Sequence, residues 1–152
     1  MFCLRVYQQG DEGAIMRLVG DVLVRYGLKT DAAATDKDIL NIGESYTRNG
    51  GVFKVLECDG RIVGSYGLYR ISPTVCELRK MYLYEEFRGK GFGKMMMEDA
   101  FIEAKGLGFS QMILETNSCL KEALELYKKY GFEEYEVEHL SQRCDMAMKK
   151  ML

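Results

Sequence analysis

Glu85-Glu86-Phe87-Arg88-Gly89-Lys90-Gly91-Phe92-Gly93-Lys94 is the stretch on which the reading of this chain turns. Three glycines at alternate positions let successive backbone N–H groups converge without Cβ obstruction, and the helix that follows adds the positive end of its dipole. Arg88, Lys90 and Lys94 add formal charge at the same place. This combination suits a pyrophosphate; the other reading open from the glycines alone is a flexible turn before an ordinary helix. Two familiar phosphate loops are excluded. Gly89-x-Gly91-x-Gly93 is not the dinucleotide fingerprint, and no acidic residue closes a following strand in that manner. A Walker A loop needs Gly where Arg88 stands and Ser or Thr where Met95 stands.

Moving downstream, Gly93, Met96, Met97, Ala100, Phe101 and Ala104 keep one helical face apolar until Gly106 and Gly108 stop it. Upstream, Cys76–Leu83 reads as a strand whose apolar residues begin on even positions, Cys76 and Leu78, and then switch to odd ones, Met81 and Leu83. A slipped burial phase indicates a β-bulge, which parts a strand from its neighbour; a strand buried on both faces gives a similar pattern. Further out, the spacing predicts strands over Phe2–Tyr7, Val52–Cys58, Arg61–Arg70, Gln111–Glu115, Glu133–Glu138 and Arg143–Lys149, with a hairpin turn at Asp59-Gly60. It predicts helices from Asp11 to a cap at Gly27, over Asp36–Tyr46 more weakly, and over Cys119–Tyr130, ended by Gly131. Hairpins first and helical crossovers later imply an α+β, three-layer α/β/α fold, with a mixed, mostly antiparallel sheet of about seven strands and about four helices on both faces.

At 152 residues, with 47% hydrophobic and 29% charged residues, the chain has the size and composition of a single globular domain spanning 1–152. Its 21 Lys and Arg against 23 Asp and Glu leave a net charge of −2, so no global field recruits nucleic acid. The five cysteines (Cys3, Cys58, Cys76, Cys119 and Cys144) are scattered, and His139 is the single histidine. No zinc ligand set of the usual kind arises, and the expectation is reduced thiols and no metal. No apolar run approaches the ~18 residues of a membrane span, and Arg5, Asp11 and Glu12 interrupt the start, so a cytoplasmic domain without membrane contact is expected.

Arg88-x-x-Gly91-x-Gly93, entered from a strand of slipped phase and opening a helix, resembles the R/Q-x-x-G-x-G/A signature of the GNAT superfamily of N-acetyltransferases. A second segment, Ala123-Leu124-Glu125-Leu126-Tyr127-Lys128-Lys129-Tyr130-Gly131-Phe132, resembles that family's A-x-x-L-Y-x-x-x-G-F stretch. The element order matches over nearly the whole chain. The resemblance implies the acyl-CoA N-acyltransferase (GNAT) fold, with acetyl-CoA as co-substrate. Acetyl would pass to a primary amine of a small molecule or peptide by direct attack in a ternary complex. It further implies that Arg88, Gly89, Lys90, Gly91, Phe92, Gly93 and Lys94 hold the pyrophosphate, and that Met81, Tyr82 and Leu83 run alongside pantetheine. Backbone N–H groups freed at the bulge would polarise the thioester carbonyl.

Tyr127 matches the tyrosine that in many members protonates the departing thiolate, although its place on an apolar helix face also fits a core residue. Where the family often has Asn, this chain has Leu120; Asn117, one helical turn earlier, either replaces it as a pantetheine contact or caps the helix. An alkyl ammonium must lose a proton before it attacks, which costs about 4.6 kcal/mol at neutral pH. Glu77 is the candidate base acting through water, with an ion pair to Arg79 or Lys80 as the competing reading; Glu115 stands second. The acceptor edge is expected among the Gly27–Asp38 connection, the second helix and the last strand pair. Asp31, Asp36, Asp38 and Glu44 there suit either a cationic amine or a solvated helix face. A monomer or homodimer is expected. The competing functional classes are an acyl-CoA sensor without turnover and an interaction module that keeps the fold.

Overall fold

A computed structural model describes residues 1–152. Its strands are β1 (Phe2–Val6), β2 (Val52–Cys58), β3 (Arg61–Arg70), β4 (Val75–Leu83), β5 (Gln111–Thr116), β6 (Glu133–Tyr135) and β7 (Met146–Met151). They form one sheet in the order β1-β2-β3-β4-β5-β7-β6. Every neighbouring pair is antiparallel except β4 and β5, which are joined by a helical crossover and run parallel.

Helix α1 (Glu12–Val24) buries Ile15, Leu18, Val19, Val22 and Leu23 on one face of the sheet, as their helical spacing requires. Helices α2 (Phe92–Gly106) and α3 (Lys121–Lys129) cover the other face with Met96, Met97, Ala100, Ala104 and Tyr127. Strand alternation divides the two cores: Phe53 and Val55 face α1 while Leu56 faces α2. Gly67 is needed between them, because a Cβ there would lie 2.6 Å from the Tyr46 ring and 2.7 Å from that of Phe53. Lys54 enters the α2 side as a buried charge and is matched by Asp99 at 2.8 Å and Glu103 at 3.1 Å. No helix is long and apolar enough to cross a membrane.

Two stretches depart from the periodic reading. Asp36–Tyr46 does not form a regular α-helix: a 3-10 turn (Lys37–Asn41) passes into a π turn (Gly43–Thr47). Ile39, Ile42 and Tyr46 must all reach the same core, and tightening then widening the coil around Gly43 aligns them. The last two strands are shorter than Glu133–Glu138 and later than Arg143–Lys149, because Arg143 leaves the sheet to meet a carboxylate across the site.

Candidate active site

The phase slip in β4 is a bulge. Ser65 pairs with Tyr82 and Gly67 with Arg79, so Tyr66 alone faces both Lys80 and Met81. Lys80 adopts a left-handed φ of 55°, which inserts the extra residue, and Ser65 Oγ donates to its carbonyl at 2.7 Å. Before the bulge Cys76 and Leu78 join the α2-side core; after it Met81 and Leu83 do. The strand is also buried on both faces at its start, where Cys76, Glu77 and Leu78 are all enclosed, so the two readings of the pattern hold together. Pairing with β5 stops early, after Val75–Glu77 against Gln111–Ile113, while β5 continues beside β7 to Thr116. The two parallel strands therefore splay, and a cavity of about 540 Å³ fills the gap. Glu77–Leu83 line one wall, Glu115, Thr116 and Asn117 the other, with the end of α1 and the side of α3 that carries Ala123, Leu126 and Tyr127 closing it.

At one end lies the glycine turn. Gly89 and Gly91 both have left-handed backbones (φ 74° and 87°), and Gly91 is the residue that opens α2. From Gly89 to Lys94 no backbone N–H has an acceptor within the chain, and no side chain caps the helix. This is a row of six donors converging on a helix N-terminus. Arg88 lies at the cavity edge, donating to Leu83 O at 3.3 Å, Tyr26 Oη at 3.0 Å and Glu122 Oε2 at 2.8 Å. Gly89 and Gly93 also line the cavity, whereas the side chains of Lys90, Phe92 and Lys94 do not. Phe92 packs on Phe2 and Phe87, and Lys90 lies over the Phe87 ring. What these positions offer an anion is backbone, not side chain.

Deeper in, Glu77 is 7% exposed and accepts from Arg79 Nε, so the expected ion pair forms; Lys80 turns elsewhere. Burial outweighs Arg79, and the Glu77 carboxyl is raised above its ordinary value, with neighbouring Glu115 pushing the same way. Glu115 accepts the Ser141 N–H at 2.9 Å. Tyr127 packs its ring edge-on to Phe132 at 5.8 Å and is 7% exposed, yet it also lines the cavity. Burial raises its phenol, as do Tyr82 and Cys144 beside it, while no hydrogen bond engages the hydroxyl. That hydroxyl is not sealed off, so it opens on the cavity. Core packing and an available donor coexist in one side chain.

Asn117 borders the cavity with both ends of its amide in use. Oδ1 accepts from Cys119 N–H at 3.0 Å, and Nδ2 donates to Arg143 O at 2.9 Å. It closes the turn before α3 without capping the helix itself, whose first position, Leu120, has no side-chain cap.

The acidic edge is split: Glu44 is solvated, whereas Asp36 and Asp38 are enclosed and already hold cations of the chain. Asp36 is fully buried and takes both terminal nitrogens of Arg143 at 2.6 and 2.8 Å, Lys80 Nζ at 3.1 Å and Asp31 N–H at 2.8 Å. Lys80 also meets Asp38 at 3.3 Å and Thr35 O at 2.9 Å, while Asp38 accepts from the Tyr46 hydroxyl. Glu44 pairs with Arg48. Buried carboxylates gather cations because an unpaired charge there is too costly. Periodicity carried no signal for Lys80 or Arg143, since their partners lie 44 and 107 residues away. Tyr26 and Cys144 also line the cavity without having been singled out.

Residues 49–134 match the acetyltransferase (GNAT) domain. The uncharacterized N-acetyltransferase YjgM of Escherichia coli is 36% identical over 128 residues, covering 81% of this chain and 77% of that protein. The thialysine N-epsilon-acetyltransferase of Bos taurus is 29% identical over 140 residues, covering 84% and 82%. Among solved structures, the GNAT-family acetyltransferase of Staphylococcus aureus superposes with a TM-score of 0.92 at 19% identity, over 99% of each chain. The PaiA N-acetyltransferase of Thermoplasma acidophilum, in complex with coenzyme A, gives 0.81 at 19% identity, over 100% of this chain and 99% of that one.

Proposed function

The chain belongs to the GNAT family of acetyltransferases, and from that premise we propose that it moves acetyl from acetyl-CoA to a primary amine of a small molecule or peptide. The observation that carries this reading is the run of unpaired N–H groups from Gly89 to Lys94 at one end of the cavity into which the β4 bulge and Tyr127 open. The donors fit a pyrophosphate, with Arg88 adding its guanidinium beside them. Met81, Tyr82 and Leu83 then run alongside pantetheine, which leaves the thioester between the bulge and Tyr127. Backbone N–H groups that the splayed strand no longer shares with β5 stabilise the developing oxyanion.

Attack is direct. The amine nitrogen forms the C–N bond, the C–S bond breaks, and the product is an amide with no covalent enzyme intermediate. The ammonium proton leaves through water to Glu77, whose raised carboxyl is a better match to a base operating near neutrality than a solvated one. The departing thiolate takes its proton from Tyr127, whose raised phenol is fully protonated at neutral pH, and the second proton shed by the nitrogen as the amide forms restores that phenol through water. Calorimetric titration with acetyl-CoA, followed by an amine panel assayed for free-thiol release, tests the proposal. Binding and turnover are expected. Binding without turnover on any amine assigns a sensor instead, and no binding leaves an interaction module.

A further inference from the structure

Arg79 carries a terminal fork that nothing in the chain uses. Its Nε donates to Glu77, and its guanidinium carbon lies over the Tyr69 ring, 3.8 Å from the ring centre. Neither terminal nitrogen has a hydrogen-bond partner, neither is sealed from solvent, and the side chain lines the same cavity as Glu77 and Glu115. The ion pair and the ring hold the fork in place, so little side-chain entropy remains to be lost when it binds. The other acid acting on it, Asp38, is committed to Lys80 and Tyr46.

We infer that Arg79 is the specificity-determining residue for the acceptor, and that the acceptor is a free amino acid whose amine and carboxylate sit on one carbon. The inference rests on the acetyl-transfer reading above. A planar two-nitrogen fork matches a carboxylate. Glu77, bonded to the same guanidinium, stands within a few bonds' reach of whatever that fork holds and is the proposed base for the amine. Amine and carboxylate must therefore be close neighbours in the acceptor. A peptide amino terminus presents an amide there and leaves the fork unmatched. A phosphate monoester brings close to two negative charges against Glu77 and Glu115 with one guanidinium to meet them.

The test is steady-state thiol release from acetyl-CoA by the full chain with matched acceptors: alanine against ethylamine and alaninamide, phenylalanine against phenethylamine, lysine against cadaverine. Each is measured with the wild type, Arg79→Gln and Arg79→Lys. Comparing variants on the same amines removes differences in amine basicity. Arg79→Gln is expected to lower kcat/KM for the amino acids roughly 30-fold more than for their carboxylate-free partners, chiefly through KM. Arg79→Lys, which keeps charge and loses the fork, falls between, and it carries the test if the glutamine variant fails to fold. Equal losses for both members of each pair overturn the inference and leave the acetyltransferase standing. Absence of turnover on every amine, with acetyl-CoA bound, overturns the acetyl-transfer reading itself, and the inference goes with it.

Discussion

Replacing Tyr127 by Phe removes one atom and separates two roles that this residue combines. The ring packs on Phe132 at 5.8 Å and belongs to the α2-side core, so its apolar contacts survive the change. No hydrogen bond to the hydroxyl is lost, because none exists in the chain, and the usual cost of about 1 kcal/mol for such a bond does not apply. The melting temperature is therefore expected to stay within a degree or two, on the order of the scatter for neutral substitutions. Rate is a different matter. A thiol of pKa ~8.5 is already a fair leaving group, so protonating it is worth less than removing the amine proton. A fall in kcat of roughly 10–100-fold, about 1.4–2.7 kcal/mol, is expected, with acetyl-CoA affinity nearly constant. Thiol release gives kcat, calorimetry gives the affinity, and thermal unfolding gives the control. Normal turnover by a fully folded Phe variant refutes the acid assignment and leaves Tyr127 as packing alone.

Glu77→Gln should lower kcat by about 10²-fold with little effect on acetyl-CoA binding; because burial raises this carboxyl, the wild-type rate should fall on the acid side through that raised value, and the variant's profile should lack the limb. A variant that keeps the same acid limb removes Glu77 from the mechanism. Gly91→Asp puts a carboxylate among the six donors at a left-handed position with open space around it; calorimetry should show acetyl-CoA affinity down about 100-fold or more, with the strain costing only about 1 kcal/mol of stability. Asp36→Asn leaves Arg143 and Lys80 underpaired in the interior and should cost about 3–5 kcal/mol in denaturant unfolding at neutral pH. Its partners hold the folded Asp36 carboxyl below the ordinary value, so its contribution is complete above about pH 4 and is lost as pH falls through the depressed value. The gap between variant and wild type should accordingly close in acid, and a gap that persists unchanged there contradicts the assigned charge state.

Lys80 ties the two halves of the site together. Its left-handed backbone makes the bulge that opens β4, and its ammonium ties Asp36, Asp38 and the Thr35 carbonyl down onto that same point. The connection after α1 and the loop carrying Arg143 are thereby fixed over the cavity by one knot of charge. This wall of the cavity is held by buried electrostatics rather than by regular secondary structure.

The chain's own order of residues determined the sheet, its crossovers and the glycine turn that opens α2. Those features depend on near neighbours: alternation and its slip in Cys76–Leu83, three glycines in seven residues, and an apolar stripe leading into a helix. Even the bulge is local, because one inserted residue shifts every later side chain to the opposite face. The pairing of charged residues around the cavity was decided only by tertiary structure. Glu77 and Arg79 are visible as a pair two residues apart, but which of Arg79's nitrogens stays free depends on Tyr69, Tyr46 and Asp38 arriving from three other segments. Asp36 looked like a solvent-facing acid at a helix start, and it became the centre of a buried knot because Arg143, 107 residues later, reaches it. Hydrophobic period reports which face a residue turns to the core. It carries no information on which buried charge will neutralise which, since Coulomb pairing is settled by distance in space, and that is fixed only when the layers have closed.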